Sequence, residues 1–125
     1  MKRIIRTAEA PAALGPYSQA VEKKGTLYVS GQIGIDPSTG KLVEGGIQEQ
    51  TKQIFKNIDA ILKAAGYSPQ DVVKSTCFLD DISDFAAMNE IYGSYYTEDQ
   101  PARSAFAVKD LPAGALVEIE TIAVK

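Results

Sequence analysis

The spacing of apolar residues along this chain changes several times, and each change marks a new element. Between Ile47 and Ala65 they fall at Ile47, Ile54, Phe55, Ile58, Ile61, Leu62 and Ala65, one face of a helix. Lys52, Lys56, Asp59 and Lys63 take the opposite face, and Gly66 is a natural helix stop. Upstream, RIIRT (Arg3 to Thr7) predicts a short strand, and EAPAALGPYSQA, with Pro11, Gly15 and Pro16, predicts a loop. VEKKGTLYVSGQIG predicts a hairpin turning at Lys24-Gly25, and DPSTGK a further turn. After the helix, DVVKSTCFLDD reads as a strand. Its alternation places Val73, Ser75, Cys77 and Leu79 on one side and Val72, Lys74, Thr76 and Phe78 on the other. ISDFAAMNEIYGSYY predicts a second helix, capped by Ser83 or Asp84, with Phe85, Met88, Tyr92 and Tyr95 as its inner stripe. ARSAFAVKDL and ALVEIETIAV, separated by a turn at Pro112-Gly114, predict the last two strands.

Strands interrupted by only two helices point to an α+β fold: a single sheet with both helices on one face, in one domain over residues 1–125. The terminal strand then poses a problem. Val117, Ile119, Thr121 and Ala123 suit packing under the helices. Leu116, Glu118, Glu120, Ile122 and Val124 form the other side, too apolar for a solvent face and too acidic for a core. No third helix remains to cover it, so a second copy of the chain is the economical cover; a partly solvated terminal strand is the alternative. Leu79, Phe106 and Val108 fit either side.

Composition narrows the chemistry. With no histidine, the chain has no Ser-His or Cys-His nucleophile pair and no His-based metal site. Its single cysteine, Cys77, precludes an internal disulfide and suits a reducing, cytoplasmic setting. A net charge of −3 disfavours polyanions, so no nucleic-acid partner is expected. No stretch is apolar enough for a membrane span or a signal peptide. GIDPSTGKL is not a phosphate-binding loop, because its spacing is one residue too long and Leu42 stands where Ser or Thr is required. Asp80 and Asp81 suit a turn or cap rather than a metal, and Cys77 suits a core.

Arg103, one of three arginines, opens a strand face continued by Ala105, Ala107 and Lys109. Small neighbours leave room for a ligand, and the planar guanidinium matches a carboxylate. Pairing with Glu118 or Glu120 on an adjacent strand is the competing reading, and for Glu118 itself pairing with Lys109 or Lys125.

Six segments, in order, carry a resemblance to a known family: APAALGPYSQA, YVSGQIGIDPSTG, QTKQIFKNIDAILKAAG, DVVKSTCFLDD, FAAMNEIYGSYY and PARSAFAVKDLPAGALVEIETIAV. The chain resembles the Rid/YjgF family, and within it the RidA-type enamine/imine deaminases, over essentially its whole length. The resemblance implies a chorismate-mutase-like α+β fold and a homotrimer with a central β-barrel and clefts between subunits. It implies cofactor-free, metal-free hydrolysis of 2-imino acids and their enamine tautomers (2-aminoacrylate, 2-aminocrotonate) to 2-keto acids and ammonia. By the same resemblance, Arg103 grips the substrate carboxylate, Glu118 positions the hydrolytic water, and Tyr17 lines the cleft from a neighbouring subunit. Ser30, Gly31 and Asn89 lie in or near the pocket wall. Ala105, where many such relatives carry cysteine, offers its backbone N–H. Arg103 is expected to hold Glu118 ionised against the effect of burial. The competing functions are a small 2-keto-acid sensor or chaperone-like protein using the same clefts, and a single-strand endoribonuclease, which the acidic charge and missing histidine oppose.

Overall fold

The computed structural model describes residues 1–125. Three strands come first: β1 (Arg3–Ile5), β2 (Ala20–Lys23) and β3 (Thr26–Gln32). A small ribbon of β4 (Ile35–Asp36) and β5 (Lys41–Leu42) leads into α1 (Ile47–Ala65). Then follow β6 (Val72–Leu79), α2 (Phe85–Tyr95), β7 (Ala102–Ala107) and β8 (Val117–Val124). Six strands form one sheet in the order β1-β2-β3-β8-β6-β7. Its pairings are antiparallel except that of β6 with β7, which is parallel. The C-terminal strand is thus central, and β7 is an edge.

Both helices pack on one face, as the order of elements predicts. Ile54, Phe55, Ile58, Ile61 and Leu62 of α1 and Met88 and Tyr92 of α2 share one buried cluster with Leu27, Val29, Cys77, Leu79, Val117, Ile119 and Ala123 of the sheet. Truncating one of the fully buried aliphatics, such as Ile58, to alanine costs about 2–5 kcal/mol by lost burial and an unfilled cavity. Local signals act where the sequence places them. Lys24 and Gly25 both take positive φ, 50° and 80°, as a two-residue hairpin loop whose twist matches its strands requires. Gly66 takes φ 83°, and the next amide, Tyr67 N–H, reaches back to the Leu62 carbonyl at 2.8 Å, closing α1. No helix is long and apolar enough to cross a membrane.

Four local expectations change. β1 ends at Ile5 rather than Thr7, because Thr7 is diverted to the side chain of Gln19. The register of β6 against β8 shifts between Val72 and Lys74, so Val72 is buried with Ser75 while Val73 is exposed, the reverse of simple alternation. Neither Ser83 nor Asp84 supplies a side-chain cap: the Asp81 carboxylate accepts from the Ser83 N–H at 2.9 Å and opens a 3-10 turn that feeds α2. β7 stops at Ala107, short of Leu111.

Buried amides tie the loops to this frame. Asn57, on the buried side of α1, donates to the Ile35 carbonyl at 2.9 Å and so fixes the chain beyond β3. Gln50 accepts from the Leu116 N–H at 2.9 Å, anchoring the approach to β8. Gln19 is the hub for residues 7–17. Its carbonyl accepts from the Thr7 N–H at 2.8 Å, and its amide donates to the Thr7, Ala10 and Pro11 carbonyls at 3.0, 3.3 and 2.8 Å. Removing it strands several buried polar groups at once. Gln19→Ala is expected to cost about 2–3 kcal/mol, read as a lower denaturant midpoint at unchanged slope. An unmoved midpoint would mean that other contacts hold this loop.

Candidate active site

A cavity of about 590 Å³ opens on the sheet face away from the helices. Its walls include Tyr17, Ser30, Gly31, Glu118, Glu120 and the Pro112–Ala113 turn. Tyr17 comes from the loop that Gln19 ties down. Its ring is exposed, and its hydroxyl oxygen accepts from the Leu14 N–H at 3.3 Å. Ser30 sits near the end of β3, where its hydroxyl donates to the Ser18 carbonyl at 2.6 Å and its N–H to the Gln19 carbonyl at 3.0 Å. The register of β3 against β8 breaks between Val29 and Gln32, at Ser30 and Gly31. A β-carbon on Gly31 would overlap the Glu118 carboxylate, so a larger residue there would displace that side chain from its observed position.

Glu118 is half-buried and has no cationic partner. Burial pushes its carboxyl above the ordinary glutamate range, and the nearby charge of Glu120 pushes it further the same way. Within the chain, then, the expectation that Arg103 holds Glu118 ionised fails.

The reason is the register of β6. Its antiparallel pairing sets Phe78 opposite Glu118 and Cys77 opposite Ile119, and Ile119 is buried under the helices. Its parallel pairing sets Ser75 opposite Arg103 and Cys77 opposite Ala105. Neighbouring residues of a strand point to opposite faces. Arg103 and Ala105 therefore lie on the helix face and Glu118 on the other. An ion pair of Arg103 with Glu118 or Glu120 is ruled out within one chain, and β7 is not adjacent to β8 in any case.

Arg103 leans instead on α2. Its Nη1 donates to Asn89 Oδ1 at 2.6 Å, and its guanidinium carbon lies 4.6 Å from the Tyr92 ring centroid and 5.4 Å from that of Phe85. Neutral groups thus position a cation that no acidic side chain neutralises. Behind Ala105, the thiol of buried Cys77 is pushed up to about 11 by burial, so it stays protonated and serves packing rather than nucleophilic chemistry.

Of the residues singled out in the sequence, Tyr17, Ser30, Gly31 and Glu118 assemble on one face. Arg103, Ala105 and Asn89 assemble on the other, at the β7 edge. The chain does not bring the two groups together. Sequence reasoning missed four contributors. Gln19 was only one letter of a loop. Glu120 is a second acidic wall of the cavity. Phe85 and Tyr92 read as the apolar stripe of α2, and their spacing with Asn89 (i, i+4, i+7) was the one signal that could have marked a shared platform.

Comparison with known proteins places this geometry. The family model described as Endoribonuclease L-PSP matches residues 7–125. The 2-iminobutanoate/2-iminopropanoate deaminase of Mus musculus is 53% identical, covering 100% of this chain and 93% of the mouse protein. The Rid-family protein YyfA of Yersinia pestis superposes with a TM-score of 0.97 at 50% identity, covering 100% of both chains. The Escherichia coli protein TdcF, crystallised with bound serine, superposes with a TM-score of 0.94 at 40% identity over 98% of each chain. The fold, the whole-length match and the family model agree: this chain belongs to the Rid/YjgF family.

Proposed function

We propose that this protein is a hydrolytic deaminase of 2-imino acids, including the enamine tautomers 2-aminoacrylate and 2-aminocrotonate, in the RidA manner. It works as a single-domain chain of the cytoplasm, assembled into a homotrimer whose sheets form a central barrel and whose active sites lie between subunits. The observation that carries the reading is the division of the site. An arginine that no carboxylate neutralises lies at one sheet edge and the half-buried glutamate on the opposite face. A second copy of the chain must join the two. The face that bears Glu118 supports this, since Tyr28, Phe106 and Val124 on it are about half exposed. Family membership supports the reaction: the mouse relative is named for it, and TdcF binds serine, an amino acid whose carboxylate suits such an arginine.

The chemistry follows from the residues. Arg103 of one subunit grips the substrate carboxylate with the N–H groups that Asn89 leaves free, and the Ala105 amide adds a third point. Across the interface, Glu118 orients a water against C2 of the protonated imine and accepts its proton as the new C–O bond forms. The tetrahedral carbinolamine collapses to the ketone, the C–N bond breaks, and the nitrogen leaves as ammonia after taking a proton. Tyr17 closes the cleft over the water and the departing nitrogen. Ser30 and Gly31 shape the wall, Gly31 by giving the Glu118 carboxylate its place. An iminium carbon is already electrophilic, so positioning supplies most of what is needed. A ribonuclease reading is disfavoured because two carboxylates face the cavity in a chain of charge −3. A keto-acid sensor would use Arg103 without needing Glu118.

The first test couples a dehydratase that releases 2-aminoacrylate or 2-aminocrotonate to this protein and follows keto-acid formation. Arg103→Ala is expected to lose about a thousandfold in kcat/KM, as when one side of a desolvated charge pair is removed. Glu118→Ala is expected to lose about 10²–10⁴-fold, with keto-acid binding retained. No acceleration by the wild type would favour the sensor.

Mixing tests the division. When the two inactive variants are co-expressed in equal amounts, a randomly assembled cyclic trimer is expected to recover about a quarter of the wild-type rate, one intact site per mixed trimer. No recovery in mixed trimers would sink the intersubunit site.

The rate also depends on pH in a stated direction. Within the chain, burial and then the charge of Glu120 raise the Glu118 carboxyl, and Arg103 of the neighbouring subunit would oppose them. Glu120→Gln removes the like charge, so the acidic limb of kcat/KM should move to lower pH. A limb that moves upward or stays put would contradict this coupling.

A further inference from the structure

We infer that Tyr92, supported by Phe85, is a positioning residue for Arg103: α2 supplies an aromatic floor that holds the guanidinium in place without neutralising it. This rests on the reading of Arg103 as the carboxylate clamp. An arginine that must grip a carboxylate faces two opposing needs. It must be held still, and its usual anchor, an acidic side chain, would compete with the substrate. The helix resolves this with neutral groups. Asn89 takes one N–H at 2.6 Å, while the Tyr92 and Phe85 rings lie 4.6 and 5.4 Å from the guanidinium carbon, within cation–π range. The three residues are spaced i, i+4, i+7, so one helix face carries the whole cradle.

The far end of Tyr92 is buried among other hydroxyls. Its hydroxyl lies in the core with those of Ser75, Tyr96 and Thr121, all four residues no more than 5% exposed. Ser75 lies beside both tyrosine hydroxyls, and Thr121 beside that of Tyr96. None of these approaches closes to full hydrogen-bond geometry, so the hydroxyls form a shared polar knot rather than fixed pairs. Ser75 is also the register partner of Arg103 in the parallel β6–β7 ladder. One serine therefore links the strand pair that carries the arginine to the ring on which the arginine rests. A phenylalanine would fill the same volume and remove a buried hydroxyl that lacks a hydrogen bond, so it should leave the floor intact.

The test measures 2-oxobutanoate binding by calorimetry, and KM and kcat for imine hydrolysis, in the assembled wild-type protein and in the Tyr92→Leu, Tyr92→Phe, Phe85→Leu and Arg103→Ala variants. Tyr92→Leu is expected to weaken binding and raise KM about tenfold, as loss of a partly desolvated cation–π contact implies, with kcat within about twofold. Tyr92→Phe keeps the ring and should stay within about threefold of wild type in both, while Phe85→Leu raises KM by about two- to threefold. A merely structural role would lower the melting temperature and leave KM alone, and that result overturns the inference. If Tyr92→Leu does not fold, an unchanged KM in Phe85→Leu overturns it instead. If Arg103→Ala binds the keto acid as well as wild type, the clamp reading itself fails. If Arg103→Ala loses binding while both floor variants keep it, the clamp stands and only the floor is wrong.

Discussion

The two registers of β6 are the constraint on which the site depends. Paired parallel to β7, the strand sets Arg103 opposite Ser75. Paired antiparallel to β8, it sets Glu118 opposite Phe78. Successive positions on a strand point to opposite faces, so the arginine and the glutamate end up on opposite sides of one sheet. A one-residue slip in either ladder would put both on one face. The observed registers keep them apart.

Everything around that strand serves to hold it. The helix face of the sheet is closed by α1 and α2 over one buried cluster, which sets the plane from which Arg103 projects. Around the cavity, buried amides do what a core cannot. Gln19 gathers the Tyr17 loop, Asn57 holds the chain beyond β3, and Gln50 secures the approach to β8. Each supplies partners to backbone groups that would otherwise lack them, so the loops around the cavity are fixed by the frame rather than by their own contacts. The two half-sites also differ electrostatically. Arg103 lies beside neutral groups. Glu118 sits where burial and Glu120 favour the protonated form, and a cation brought near it would favour the ionised one.

Much of this was legible beforehand. The apolar stripe of α1, the Lys24-Gly25 hairpin and the Gly66 stop follow from local preferences that the structure leaves intact. The two-sided last strand was legible too: alternation alone set Glu118 and Glu120 apart from the buried face. Where the reading slipped, a distant partner had intervened. Val72 moved to the buried face because the ladder with β8 shifts beside it. Thr7 left β1 for the side chain of Gln19. Arg103 was weighed against Glu118 as an ion-pair partner because strand adjacency cannot be read from chain order, and β6 lies between their strands.

The sequence by itself determined what depends on neighbours along the chain: which segments are helix or strand, which side of each strand is apolar, and, through the absence of histidine, which catalytic chemistries are closed. It also supplied a run of motifs long enough to identify the family. Tertiary structure decided what depends on strand order and register. It placed Arg103 over Phe85 and Tyr92 rather than beside a carboxylate, and it gathered Tyr17 and Gly31 around one cavity with Glu118, from the other end of the chain. The physical reason is that periodicity records only which way a side chain points from its own strand, whereas its partners are set by pairings whose registers are fixed by the packing of the whole sheet.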